Sequence, residues 1–193
     1  MNKKQDLIKA GIRLFAAQGF DSTTTLQITK EAGLTEPSLY YHFQGKHELF
    51  TYILNTTFEK YFARMESLKN ETPSRFEKIE NLIDMHFQFV YEMPDEIYLA
   101  VSTCPARLKD PEDMCAKNIQ KQRLWLTSFL TDCLYTGIES NEFIKVPIDE
   151  TVGLLIAMIN GLIRQRGLHL ENLIGIKETA VEFCRRSLVK NKH

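Results

Sequence analysis

The sequence predicts an all-α protein of about nine helices, and three observations predict it. Apolar residues recur at intervals of three and four along most of the 193-residue chain, which is the periodicity of an amphipathic helix. Glycine or proline separates these stretches, and no segment shows the sustained alternation of a β-strand. The composition, 44% hydrophobic and 25% charged, is ordinary for a globular domain. We therefore predict a three-helix head over residues 1–48 and a larger helical body over residues 49–193.

The head is predicted from its stop and start signals. The first helix is expected from Lys4 to Gln18 and ends at Gly19, a residue favoured after a helix C-terminus. Side chains between Asp21 and Thr24 can cap a second helix over Thr25 to Ala32. Gly33 then permits a sharp turn, because glycine readily takes the left-handed conformation.

A third short helix follows, with Thr35 as its expected cap. Pro37 is tolerated in its first turn, where no backbone N–H has to be donated. The remaining helices are predicted at Lys46 to Lys69, Ser74 to Tyr91, Asp95 to Ser102, Glu112 to Gly137, Asp149 to Leu168 and Leu173 to Val189. Cys104-Pro105 is one of the expected breaks between them.

The third helix predicts a function. Leu39 and Phe43 are one turn apart and would anchor it to the core, which leaves Tyr40, Tyr41 and His42 to share the outward arc. A short helix with exposed hydrogen-bonding side chains after a tight turn has the form of a helix-turn-helix, which places such a helix in the DNA major groove. DNA binding is therefore the first hypothesis.

Charge permits this hypothesis without arguing for it. The whole chain has a formal net charge of −1. Residues 1–48 carry six basic and five acidic side chains, a balance of +1, whereas a nucleic-acid-binding domain usually shows a clearer basic patch.

The first fifty residues resemble the TetR family of bacterial regulators. The resemblance is carried by Ile8 to Phe20, Thr23 to Thr25, Ile28, Ala32 to Thr35, Ser38 to Phe43 and Lys46 to Phe50. It implies contacts to DNA phosphates from Thr25, Tyr40, His42 and Lys46. It implies base contacts from Glu36, Pro37, Ser38 and Tyr41. Leu26 departs from the family pattern, because some members have an arginine there that reads guanine, and Thr29 replaces a common alanine.

The resemblance also implies an effector cavity in the body. The alternative for the same side chains is plain core packing. Methionine and aromatic walls would suit a largely apolar ligand. The expected lining residues are Met85, His86, Phe89, Met93, Tyr98, Cys104, Trp125 and Phe129.

The last two helices are the expected surface for a homodimer, because a helix-turn-helix protein usually needs two heads to read a two-fold operator. Gly153, Ala157 and Gly161 would allow close helix approach, and Arg164 would lie at the rim. The expected interface residues are Leu155, Met158, Ile159, Leu162, Phe183 and Leu188.

Cysteine spacing and chain hydropathy complete the expectations. Cys104, Cys115, Cys133 and Cys184 are widely spaced, so we expect reduced, packed thiols and no metal site. No apolar run approaches the roughly 18 residues that span a bilayer, and the N-terminus has no secretion signal. We expect a cytoplasmic protein without a cofactor.

Two other functions stay open. An enzyme is disfavoured, because the chain contains no nucleophile elbow, phosphate loop or metal-ligand spacing. An architectural or protein-binding factor could use the same head without an effector. The sequence also leaves open whether a regulator of this kind represses or activates.

Overall fold

The computed structural model describes residues 2–68, 74–107, 110, 112–164 and 173–190. Within these ranges the protein is all-α, which confirms the predicted fold class. Its helices are α1 (Lys3–Gln18), α2 (Thr25–Glu31), α3 (Glu36–His42), α4 (Lys46–Ser67), α5 (Arg75–Glu92), α6 (Pro94–Arg107), α7 (Met114–Glu139), α8 (Ile148–Arg164) and α9 (Leu173–Leu188). No helix among the described residues is both long and apolar enough to cross a membrane.

Most helix bounds lie within two residues of those predicted. The main exception is α6, which continues through the expected break at Cys104-Pro105 to Arg107. Tertiary packing outweighs the proline there, since Leu99, Ala100 and Cys104 are all buried against neighbouring helices. The predicted helix end at Leu168 lies outside the described residues.

The two helices of the turn begin differently. A capping box starts α2: Thr24 Oγ1 accepts from the Gln27 backbone N–H at 3.2 Å, and Gln27 Oε1 accepts from the Thr24 N–H at 2.8 Å, which satisfies two otherwise free donors. Thr35 is the N-cap residue of α3, as predicted, but its side chain makes no hydrogen bond to the helix backbone. Its hydroxyl lies 3.1 Å from that of Ser38 instead. Gly33 has φ +65° as the turn requires.

The buried side chains form two apolar clusters. The head cluster joins α1, α2, α3 and the first half of α4. The body cluster joins α5, α7, α8 and α9 to the second half of α4. The head cluster also includes Leu99, Ala100 and Cys104 from α6 and Cys115 from α7. The head is therefore not a separate core confined to residues 1–48.

The expectation that all four cysteines are reduced is wrong for two of them. Cys104 and Cys115 form a disulfide between α6 and the start of α7, with their Cα atoms 5.1 Å apart, a separation that such a bond permits. The packing of two helix ends brings these two cysteines together, and their spacing in the sequence does not reveal it. Cys133 and Cys184 are free and buried.

We expect the disulfide to stabilise the fold. It closes a loop of 11 residues, for which the chain-entropy relation gives about 2–3 kcal/mol. Urea unfolding of the oxidised protein with and without dithiothreitol should show a loss of about that size. The Cys104→Ala, Cys115→Ala double variant should show no response to the reductant. A wild-type protein equally stable with and without dithiothreitol would contradict this stabilisation.

Candidate nucleic-acid interface and ligand cavity

The surface of α3 carries two exposed tyrosines. Leu39 and Phe43 are buried, as predicted, while 57% of Tyr40 and 84% of Tyr41 are exposed. The rings of Tyr41 and His42 meet edge to face with centroids 4.9 Å apart. Because a large aromatic surface in water is unfavourable, this arrangement is typical of a contact surface for a partner.

The starts of α2 and α3 are joined by a side-chain hydrogen bond. Thr25 Oγ1 donates to Glu36 Oε1 at 2.8 Å. Thr25, predicted to contact a phosphate, therefore lies against Glu36, predicted to contact a base. Pro37 is exposed and Ser38 is half-buried on the same helix. Leu26, where the family pattern allows arginine, is 62% exposed. Thr29 is buried and donates to the Leu26 carbonyl at 3.1 Å.

Lys46 has a role that the sequence did not reveal. Its Nζ donates to the backbone carbonyls of Phe20 at 2.9 Å, Asp21 at 3.3 Å and Thr23 at 2.8 Å, and lies 4.5 Å from the centroid of the Phe20 ring. An ammonium has three donors, and all three are used here. In this structure Lys46 therefore holds the segment between α1 and α2 in place, a role different from the phosphate contact that the sequence predicts.

A cavity of about 920 Å³ opens between α4, α6, α7 and α8. Its wall is mostly apolar, which is typical of small-molecule sites. The residues that line it are Thr57, Phe58, Tyr61, Ile97, Ala100, Val101, Ile119, Gln122, Arg123, Leu126, Thr127, Asp149, Val152, Gly153, Ile156, Ala157, Asn160, Gly161, Ile163 and Arg164.

None of the eight residues predicted to line an effector pocket lines this cavity. On α5, Met85, His86 and Phe89 point into the body cluster, and Met93 after that helix packs against the same cluster. The sequence pattern correctly identified an inward face, but α5 turns that face to α7, α8 and α9 rather than to an opening.

The other four predicted lining residues are also placed elsewhere. Tyr98 is partly exposed, and Cys104 is bonded to Cys115 in the head cluster. Trp125 stacks on Phe129 with centroids 4.7 Å apart and donates to Glu66 at 2.8 Å.

A buried polar chain connects the cavity wall to α5. His86 Nδ1 lies 2.7 Å from the Leu82 carbonyl, which can only accept, so Nδ1 carries the proton. In the neutral ring Nε2 then accepts from the Tyr61 hydroxyl at 2.7 Å, and Tyr61 Oη accepts from Gln122 Nε2 at 2.8 Å.

Burial sets the charge state of this chain. It lowers the pKa of His86 to about 4, although the hydrogen bond to Leu82 opposes the shift. Burial also raises the pKa of Tyr61, against the smaller effect of Gln122. Both groups are therefore neutral near pH 7.

Two residues belong to both the cavity wall and the head cluster. Phe58 on α4 and Ala100 on α6 are each buried to 9% exposure among the head side chains and also line the cavity. Within the described part of the chain, these shared side chains bring the cavity into direct contact with the helices that support the turn.

The predicted dimer residues divide into two groups. Leu155, Ile159 and Leu188 are buried within their own chain, so the expectation that they form a seam is corrected. Phe183 is 67% exposed, and Met158 and Leu162 are half-buried. Gly153, Ala157, Gly161 and Arg164, which the sequence predicts at a helix seam and its rim, line the cavity.

Among the described residues, no group of three or more histidine, cysteine, aspartate or glutamate side chains could hold a metal ion.

Comparisons with known proteins agree with the helix-turn-helix prediction. Residues 7–53 match the family described as "Bacterial regulatory proteins, tetR family". The transcriptional repressor KstR2 of Mycobacterium tuberculosis is 24% identical over 147 residues, 74% of this chain and 70% of KstR2. The uncharacterized regulator YuxN of Bacillus subtilis is 25% identical over 122 residues. That match covers 63% of this chain but only 42% of YuxN.

Solved structures share the whole fold. KstR2 of M. tuberculosis superimposes with a TM-score of 0.79 at 18% identity, over 99% of this chain and 97% of that one. The regulator FadR from B. subtilis, solved in complex with stearoyl-CoA, gives 0.65 at 19% identity, over 98% and 99%.

The position of Lys46 predicts a loss of stability on substitution. In Lys46→Met three carbonyls lose a charged donor, so we expect the free energy of unfolding to fall by about 1–3 kcal/mol. Lys30→Met, which removes an equal charge from exposed α2, is the control in the same urea titration. An unchanged unfolding curve, with a shallower dependence of DNA affinity on salt, would restore the predicted phosphate contact.

The buried histidine predicts acid sensitivity. Unfolded His86 takes up a proton near its ordinary pKa of 6.5, whereas the folded group does so only near 4. The unfolded state therefore binds more protons between these values, and stability falls as the pH falls through this window, by about 3 kcal/mol in total. The difference between wild type and His86→Gln, measured by urea unfolding from pH 7 to 4, should show this loss. His47→Gln, at an exposed position, should follow the wild type, and parallel curves for wild type and His86→Gln would contradict the assignment.

Proposed function

Because this chain belongs to the tetR family of bacterial regulatory proteins, we propose that it is a DNA-binding transcriptional regulator controlled by a small, largely apolar effector. The observation that carries the proposal is the exposure of Tyr40 and Tyr41 on a short helix whose opposite face is fully buried. Packing among the described residues leaves most of both side chains uncovered.

The DNA contacts follow from the chemistry of the exposed and half-buried side chains on this surface. The hydroxyls of Thr25 and Tyr40 and the His42 imidazole suit phosphate oxygens, which position the protein. Glu36, Ser38, Pro37 and Tyr41 would face base edges. Lys46 acts by holding the chain before α2 rather than by touching a phosphate.

Leu26 adds an apolar element to this surface. An exposed leucine beside the recognition helix can pack on a thymine methyl group, which marks an A·T pair in the major groove. The resulting operator would lack the guanine contact that an arginine would make at this position.

A homodimer would place two heads on one operator. Major grooves on one face of the duplex recur about 34–36 Å apart, so two copies of α3 can read a palindrome. The exposed side chains of Leu154 on α8 and Phe183 on α9 are the apolar surface that a second copy would cover.

The cavity supports control by an effector. A molecule that binds it contacts Phe58 and Ala100 directly, and these side chains also support the head. Such an effector changes the affinity for DNA only if it binds the DNA-competent and the released conformations with different affinity. We favour repression relieved by the effector, because KstR2 is named a repressor. The stearoyl-CoA in the B. subtilis FadR structure supports an apolar effector.

The alternative is an architectural DNA-associated factor without an effector. It would coat DNA uniformly, whereas a regulator protects a discrete palindrome. Footprinting on the DNA upstream of the chain's own gene separates the two.

We expect one two-fold symmetric footprint, and loss of operator affinity in two variants. Tyr41→Ala should lower affinity about tenfold or more, since a base contact is worth about 1–3 kcal/mol. Tyr40→Phe, which removes only a hydroxyl, should lower affinity equally for all sequences. Tyr91→Ala is the matched control, because Tyr91 is 81% exposed on α5. Equal affinity of Tyr41→Ala and wild type would refute the interface.

A further inference from the structure

The cavity is long as well as apolar. Phe58, Val101, Leu126 and Ile156 give it an apolar wall, and it follows α8 from Asp149 to Arg164. Fifteen helical steps at 1.5 Å span about 22 Å. The shape favours an extended chain over a compact ring system.

The wall contributed by α8 is made shallow by small residues. Gly153, Ala157 and Gly161 line the cavity at four-residue intervals. A Cβ atom added at Gly153 or Gly161 would meet no atom within 4 Å. These glycines therefore border open space, and their lack of a side chain widens the cavity.

The charges on the cavity wall are distributed unevenly. Arg123 on α7 and Arg164 on α8 both line it, and neither forms an ion pair with any residue in the described ranges. Asp149, at the opposite end of α8, is the acidic residue of the wall. Two guanidinium groups that no carboxylate of the described residues neutralises, beside an apolar cavity, attract an anion.

Helix-end electrostatics accounts for only part of this pattern. Asp149 and Arg164 lie in the first and last turns of α8, where these charges suit the helix dipole. Arg123 lies inside α7, far from either end, so the dipole does not explain it. Its neighbour Gln122 donates one N–H to Tyr61 and retains a second for a ligand.

We propose that the cavity binds an amphipathic anion, with a long apolar chain along α8 and a carboxylate or phosphate head held by Arg123 and Arg164. This rests on the proposed function, in which the same cavity receives the effector. The negative charge of Asp149 sets the orientation, because it repels the anionic head from the other end.

Direct binding tests the proposal without DNA. The probes are dodecanoate and dodecyl phosphate, with methyl dodecanoate and dodecylammonium as neutral and cationic counterparts, all below their micelle-forming concentrations. Titration calorimetry measures affinity, and the chain's single tryptophan, Trp125 on α7, gives a fluorescence signal. We expect at least one anionic probe to bind tenfold or more tightly than both counterparts. The stronger of the two anions distinguishes a carboxylate from a phosphate ligand.

Variants locate the head group. Arg123→Gln with Arg164→Gln should weaken binding of the anion at least tenfold, since charge-assisted contacts are lost, and should leave the neutral ester unaffected. Lys121→Gln is the matched control: it removes one positive charge from the same helix, at a residue that lies against Phe62 outside the cavity wall. Failure of every anion to bind, equal binding of the ester, or an unaffected double variant would each overturn the proposal.

A variant with a filled cavity tests whether the apolar chain of the ligand binds along α8. Gly161→Leu places a side chain in open space, so it should abolish binding of the anion without lowering the free energy of unfolding. Undiminished binding would overturn the proposal. Footprinting of wild type remains the separate test of the proposed function, so a protein that protects its operator yet binds no amphipathic anion disproves this inference alone.

Discussion

One helix, α4, is buried in both apolar clusters, and the arrangement of the protein depends on this. Its first half closes the head beneath α1 and α3, and its second half packs into the body. A helix of 22 residues is about 33 Å long, so it reaches from the head into the body. Phe58 and Tyr61, one turn apart on it, both line the cavity. The helix that supports the DNA-binding turn is thus also a wall of the ligand site.

The second connection between the two regions is α6. Ala100 lies in the head cluster and on the cavity wall, and four residues later Cys104 is bonded to Cys115 at the start of α7. The disulfide therefore ties together the two helices that contribute Val101 and Arg123 to the cavity wall. A ligand that pushes α6 away from α7 would act against a covalent bond. Movement of α6 would therefore be passed to the head together with movement of α4.

The interface and the cavity use polar groups in opposite ways. On α3 the tyrosines are exposed and His42 is half-buried, so a nucleic acid can replace the water on their surface. Behind the cavity, Tyr61 and His86 satisfy each other and are neutral near pH 7, so they cost little to bury. At the cavity, Arg123 and Arg164 are exposed and form no ion pair with the described residues. Lys46 is half-buried, and its ammonium group donates to three backbone carbonyls.

The sequence by itself determined the helical class, the turn at Gly33 and the exposure of α3, because these follow from local periodicity, capping and glycine conformation. Leu39 and Phe43 had to face inward, which left Tyr40 and Tyr41 outside. Only the tertiary structure decided the cavity, the Cys104–Cys115 pairing and the role of Lys46. Each depends on which side chains from distant helices meet, and a helical repeat specifies an apolar face without specifying its partner. For that reason the sequence predicts the inward face of α5 but not the helices that cover it, and it does not predict that Gly153 and Gly161 line a cavity.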